Sequence, residues 1–218
     1  MKGAADGKRI HRAAAAGLLA PVVFVTTFAM LGWLQPAYRP NSMFVSELSI
    51  GPLGWLQIVN FIVTGALIFF FARELQLPFA DRKRTRVVSV LLQIMGLCLI
   101  GSGPFITDPA SLFNQHTVHG LIHGIFGAAV FSLAPVICFF VYRLFPKSAR
   151  WRGWAVWTLL VCCLLVVTIG FLKTSQFPRS ELYAWKGLIQ RVFLVAFMAW
   201  LFGLSITILR TSSEAVLR

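Results

Sequence analysis

The sequence predicts an all-α, polytopic membrane protein with six transmembrane helices and both termini in the cytoplasm. Of its 218 residues, 58% are hydrophobic and only 12% are charged, about half the charged share of a soluble domain. Six apolar runs are long enough to cross about 30 Å of hydrocarbon as helices. Lysine and arginine are concentrated in alternate connecting segments, which is the pattern of the positive-inside rule.

The six predicted spans use nearly the whole chain, so we interpret residues 1–218 as a single membrane domain. The spans are at about 13–35, 55–77, 87–107, 120–142, 154–172 and 187–209. The first run follows basic residues, as a signal peptide does. It continues into Trp33 and Gln35 rather than into a small-residue cleavage site, which favours a retained helix.

The net charge of +13 is explained by topology. Fifteen of the 20 basic residues lie in the termini, in the second and fourth connecting segments, or, for Arg73, at the end of the second span, and the positive-inside rule places all of these on the cytoplasmic side. Nucleic acid is therefore not an expected partner. Membrane lipids are expected partners, and we expect anionic lipid of the inner leaflet to contact the basic run 82–86. We expect the four acidic residues of this side to be solvated: Asp6, Glu74, Asp81 and Glu214.

Three histidines lie together where the fourth span begins: His116, His119 and His123. On a helix they fall within about 60° of one another. His119 and His123, at positions i and i+4, are candidate ligands of a divalent metal such as zinc. No glutamate stands between them as in a metalloprotease helix, and interfacial histidines bonded to water or headgroups are the alternative interpretation.

His123 lies one turn deeper than His119, where an unpaired polar group is costly, so we expect it to have a buried partner. The same stretch of the span carries Gly120, Gly124 and Gly127. Small residues there permit two outcomes, because either a neighbouring helix approaches closely or a ligand fills the space.

The other polar residues of the outer side lie in its loops and at a helix start. Asp108, followed by Pro109, has the pattern of an N-cap with proline at the first helical position. Ser46 and Glu47 lie in a short interfacial or re-entrant helix, capped by Asn41, that returns both towards the bundle. Arg191 is either the ion-pair partner of Glu47 or a side chain that extends outward to the interface.

We predict that five of these side chains converge on one outward-facing polar pocket: Glu47, Asp108, His119, His123 and Arg191. Buried polar groups require partners, and few other strongly polar side chains reach that depth. Histidines and carboxylates in one pocket are typical of acid–base or metal-assisted catalysis. The candidate catalytic residues are Ser46, Glu47, Asp108, His119, His123 and Arg191.

Three classes of function fit this pattern. The first is an enzyme that acts on a lipid or isoprenoid-like molecule, for example by hydrolysis. The second is a non-catalytic binding or transport protein for a lipid or another apolar small molecule. The third is a structural subunit of a membrane complex, whose protein partners the sequence does not identify. A proton-coupled pump is not expected, because no chain of carboxylates crosses the spans.

Four short motifs occur in this order along the chain: SMFVSEL at 42–48, GPLGWLQIVN at 51–60, Asp108–Pro109 after the third span, and HGxxH at 119–123. Together they resemble the motifs of a bacterial six-helix membrane family known as domain of unknown function 998. The resemblance covers roughly residues 16–210. It implies a six-helix bundle in a bacterial inner membrane and supplies no activity.

A second similarity is one of pattern alone. Membrane hydrolases of the alkaline ceramidase and adiponectin-receptor type bind zinc through helix histidines beside a serine and an aspartate near one membrane face. Ser46, Asp108, His119 and His123 are similar to that set. The chain departs from the pattern because it has six spans rather than seven, and only His116 is available as a third histidine.

Overall fold

The computed structural model describes residues 2–75, 82–109, 117–145 and 149–216, and within them all regular structure is helical. Two short 3₁₀ helices, Val45–Ser49 and Glu181–Trp185, accompany six long helices. Each long helix is long and apolar enough to cross a membrane. The predicted all-α, six-span fold is therefore confirmed. The six are α1 (Lys2–Leu34), α2 (Gly54–Glu74), α3 (Arg82–Ser102), α4 (Val118–Tyr142), α5 (Ala149–Ser175) and α6 (Lys186–Val216).

Several helix bounds differ from those of the apolar runs. Helix α1 begins at Lys2 and α6 continues to Val216, so both extend beyond the apolar run that predicted them. Helix α3 covers Arg82–Ser102 rather than 87–107. Its early end has a local cause, since Pro104 disfavours helical geometry at the residue before it.

The helices form a closed ring, in which each packs against its neighbours in sequence and α6 packs against α1. Two close approaches rely on glycine. A Cβ atom on Gly65 of α2 would lie 2.4 Å from the carbonyl oxygen of Gly96 on α3. A Cβ atom on Gly17 of α1 would lie 2.2 Å from Oγ of Ser205 on α6. Side chains larger than hydrogen would separate these helices.

The ring has two ends. We call one the cavity end, because a cavity lies in the half of the bundle next to it, and it carries residues 35–53, 103–109 and 176–185, including both 3₁₀ helices. The terminal end carries both termini and the turns that follow α2 and α4.

One acidic residue of the terminal end is not solvated as expected. Glu74 is buried, and its Oε2 atom lies 2.9 Å from Nη2 of Arg9. A buried carboxylate needs such a partner, so Glu74 links α2 to α1. Of the other three, Asp81 lies outside the described residues, as do the side chains of Asp6 and Glu214.

Candidate functional site

A cavity of about 450 Å³ lies inside the ring, in the half nearest the cavity end. All six long helices and the first 3₁₀ helix contribute to its wall. Its deeper wall is mainly apolar, with Phe24, Phe61, Leu99, Val130, Phe131 and Leu194, and it also includes Ser132. The wall near the cavity end is mixed: Ser46, Thr107, Lys173 and Gln176 are polar, and Phe44 and Val45 are apolar. The polar side chains of the wall are therefore concentrated near the cavity end.

The cavity reaches well into the membrane-spanning part of the bundle. Ser132 lines it and lies on α4, whose first residue is Val118. At about 1.5 Å per residue, Ser132 is roughly 20 Å below the start of the helix. That depth passes the middle of a hydrocarbon core about 30 Å thick.

The glycines of α4 divide into two kinds. A Cβ atom on Gly124 or Gly127 would meet nothing within 4 Å, and both residues line the cavity. A Cβ atom on Gly120 would lie 2.0 Å from Oδ2 of Asp108. Gly124 and Gly127 therefore leave open space, whereas Gly120 accommodates a carboxylate.

His123 lies on the cavity wall with one ring nitrogen already bonded. Its Nδ1 atom is 2.7 Å from the carbonyl oxygen of Phe105 and 3.1 Å from that of Ser102. A carbonyl only accepts, so Nδ1 carries the hydrogen, and in a neutral ring Nε2 is an acceptor. The ring is buried, and its centroid is 5.9 Å from that of Phe61. His123 therefore has the buried partner that its depth requires.

His119 lies away from the cavity wall. It is exposed, and its ring centroid is 5.5 Å from that of Phe105. Among the residues that the structure describes, no group of three or more His, Cys, Asp or Glu side chains is arranged to hold a metal ion. His116, the candidate third histidine, falls outside them. Metal binding by His119 and His123 stays a prediction.

Asp108 stabilises the start of α4. Its Oδ2 atom accepts from the backbone N–H of Thr117 at 2.9 Å, and its Oδ1 atom accepts from the Thr117 hydroxyl at 2.8 Å. Thr117 is itself the N-cap, because its Oγ1 atom accepts from the N–H of Gly120 at 3.0 Å. The short helix that Asp108 is predicted to cap would begin at Pro109, and residues 110–116, which would continue it, lie outside the described part of the chain.

Ser46 and Glu47 return towards the bundle, but they face different surroundings. Ser46 lines the cavity. Glu47 is buried, and its Oε1 atom accepts from the backbone N–H of Phe44 at 2.7 Å. Glu47 therefore caps the 3₁₀ helix that holds it, and Phe44 takes the N-cap position expected for Asn41.

Arg191 holds the segment between α1 and α2 against α6. Its guanidinium donates to the carbonyls of Pro40, Met43 and Gly187, and to the Tyr38 hydroxyl. The hydroxyl in turn donates to the carbonyl of Phe44 at 3.0 Å. Burial raises the pKa of Tyr38, an effect that the nearby Arg191 partly opposes.

Five of the six predicted site residues thus form three groups at the cavity end, and His119 belongs to none of them. Ser46 and His123 share the cavity. Glu47 and Arg191 bind the α1–α2 connection, and Asp108 holds the start of α4. The prediction missed Lys173 and Gln176 on the cavity wall. A lysine within the end of an apolar run is the signal that could have found Lys173.

Comparison with known proteins gives one match. The profile of a family described as "Protein of unknown function (DUF998)" matches residues 18–207. No curated protein matches the chain. No solved structure matches it either.

Proposed function

The chain belongs to the DUF998 family of membrane proteins of unknown function, and from this premise we propose that it binds a lipid or isoprenoid-like amphiphile in its cavity. The observation that carries the proposal is the concentration of polar side chains near the cavity end, next to a deeper wall that is mainly apolar. An amphiphile has the same order of groups, a polar head and an apolar chain. The volume of about 450 Å³ lies within the range of small-molecule sites.

Access from the bilayer supports the proposal. Gly124, Ala128 and Ser132 line the cavity and are also exposed. Nearer the terminal end, α4 and α5 are in contact, with the Cys162 thiol 3.3 Å from the carbonyl oxygen of Pro135. Helices that touch at one end and leave space at the other provide a lateral entrance for a lipid chain.

The charge distribution suggests which leaflet supplies the ligand. Most basic residues are in the segments of the terminal end, so the positive-inside rule directs that end to the cytoplasm. The cavity then opens to the outer leaflet.

Hydrolysis of the bound lipid is a second candidate function, favoured by one observation. His123 donates from Nδ1 to backbone carbonyls, which leaves Nε2 to act as a base, and Ser46 lines the same cavity. Replacing Ser46 with Ala separates the two functions. Retained binding with lost turnover supports hydrolysis, and unchanged turnover excludes Ser46 as nucleophile.

Binding is tested by filling the cavity. Gly127→Leu places an isobutyl group in open space on the cavity wall. Gly170→Leu on α5 is the matched control, because a Cβ atom there also meets nothing within 4 Å and Gly170 does not line the cavity. Both changes replace a helical glycine, which favours folding by up to about 1 kcal/mol.

The readout is mass spectrometry of the lipid that co-purifies with each variant. We expect Gly170→Leu to retain the same species as the unmodified protein and Gly127→Leu to lose it. Equal retention by both variants contradicts binding in the cavity. If neither the unmodified protein nor Gly170→Leu carries lipid after purification, the structural-subunit alternative is favoured.

A further inference from the structure

One charged side chain of the cavity wall has no role in the packing described above. Lys173 lies in the last turn of α5, lines the cavity and is exposed. A cation in the last turn of a helix is favoured by the helix dipole. That preference accounts for a lysine near this end of α5, but it does not require the lysine to border a cavity.

No carboxylate within the described residues pairs with Lys173. The acidic side chains of the cavity end are engaged elsewhere or lie apart from it. Glu47 accepts from the N–H of Phe44, and Asp108 accepts from Thr117. Glu181 is exposed and forms no ion pair with Lys173. The described cavity wall itself includes no aspartate or glutamate.

A second cation stands close behind the same wall. Lys186 is buried, and its Nζ atom lies 3.7 Å from the centroid of the Tyr183 ring and 5.6 Å from that of Phe44. Phe44 lines the cavity. Aromatic faces stabilise an ammonium group, and a cation beside the wall favours an anion in the cavity.

Neutral groups of the same wall can complete the coordination of an oxyanion. The hydroxyl of Ser46 and the amide of Gln176 belong to the cavity wall. Each supplies N–H or O–H donors, and such donors strengthen when the acceptor is charged.

Building on the proposed function, we infer that the ligand is an anionic amphiphile whose phosphate or carboxylate head binds Lys173. Its chain lies against Phe24, Phe61 and Leu194 in the deeper cavity. Lys173 determines specificity for the head, while the apolar wall accepts chains without regard to charge. A hydrogen bond to a charged group typically contributes enough free energy for about a tenfold preference.

The test compares amphiphiles that differ only in the head. Nanodiscs of phosphatidylcholine contain the full-length protein and one probe, which is hexadecyl phosphate, hexadecanol or hexadecylamine. Mass spectrometry of the captured protein measures the amount of each probe retained. We expect about tenfold more hexadecyl phosphate than hexadecanol, and the least hexadecylamine.

Variants assign the preference to Lys173. Lys173→Ala should retain hexadecyl phosphate and hexadecanol equally, with hexadecanol unchanged from the unmodified protein, whereas Lys173→Arg should keep the preference. Arg179→Ala is the matched control, because Arg179 is an exposed cation of the cavity end that does not line the cavity. It should leave both retentions unchanged.

The outcomes separate this inference from the proposed function. Equal retention of hexadecyl phosphate and hexadecanol by the unmodified protein overturns the inference and leaves lipid binding in place. A preference for hexadecyl phosphate that persists in Lys173→Ala also overturns the inference and leaves lipid binding in place. If no probe is retained above the level in Gly127→Leu, the proposed function fails. If inorganic phosphate displaces hexadecyl phosphate at equal concentration, the site recognises a free anion rather than an amphiphile.

Discussion

His123 on α4 donates a hydrogen bond from Nδ1 to the carbonyl oxygen of Phe105, 2.7 Å away in the segment that follows α3. The same nitrogen is 3.1 Å from the carbonyl oxygen of Ser102, the last residue of α3. The last carbonyls of a helix have no partner within it. His123 therefore supplies a hydrogen-bond donor to the last carbonyl of α3 from the cavity side.

His123→Ala should lower stability by about 1–3 kcal/mol, because it removes the donor from two carbonyls at a buried site. His123→Asn should recover part of the loss, since its amide N–H can take the place of Nδ1. Thermal unfolding in detergent measures both, with His11→Ala, an exposed residue of α1, as the control. If His123→Ala equals the unmodified protein in stability and in lipid retention, His123 neither stabilises the end of α3 nor contributes to lipid binding.

Gly120→Ala should destabilise the protein, although alanine is favoured over glycine in a helix by about 1 kcal/mol. The new Cβ atom would lie 2.0 Å from Oδ2 of Asp108, and overpacking of this kind costs about 1–3 kcal/mol. Gly127→Ala meets no neighbour within 4 Å and should be neutral or stabilising.

A double-mutant cycle tests whether contact with Asp108 causes the destabilisation by Gly120→Ala. In an Asp108→Ala background the carboxylate is absent, so Gly120→Ala should lose most of its cost. We expect a coupling between the two changes of about 0.5–3 kcal/mol. Additive effects in thermal unfolding would show that the penalty at Gly120 comes from somewhere other than Asp108.

Arg9→Ala should cost about 1–2 kcal/mol, between the values for exposed and buried ion pairs. The reason is the asymmetry of the pair, since the Glu74 side chain is 8% exposed whereas that of Arg9 is 54% exposed. Removing Arg9 leaves the buried carboxylate with the more distant Arg73, whose Nε lies 3.9 Å from Oε1 of Glu74, and Glu74→Gln in the same chain should recover stability. Arg12→Ala, at an exposed position on α1, is the control and should have little effect on the unfolding temperature.

The fold could be predicted from the sequence because span length and apolar composition are properties of single segments. Ser46 and His123 could be placed near one another for a similar reason, since the connection that holds Ser46 and the start of the span that holds His123 lie at the same end of the bundle. Their sharing of a cavity depends on the ring, which the structure alone provides.

The contacts that the sequence could not provide join distant parts of the chain. Gly120 was grouped with Gly124 and Gly127, but only Gly120 faces a carboxylate. Glu74 was expected in solvent because basic residues surround it in sequence, yet the packing of α1 against α2 buries it beside Arg9. Hydropathy reports the environment of a segment and not which neighbour a given side chain meets.

Reporter fusions test the orientation that the proposed function requires. Fusions at Asn41 and Arg179 should report an extracytoplasmic site, and a fusion after Phe145 should report the cytoplasm, because basic residues cluster on the terminal side. Moving charge should weaken this bias: replacing Lys83, Arg84 and Arg86 with Gln should increase the share of inverted molecules, whereas Lys173→Gln should not. A fusion after Phe145 that reads extracytoplasmic in the unmodified protein would place the cavity at the cytoplasmic face and direct the search for its ligand to the inner leaflet.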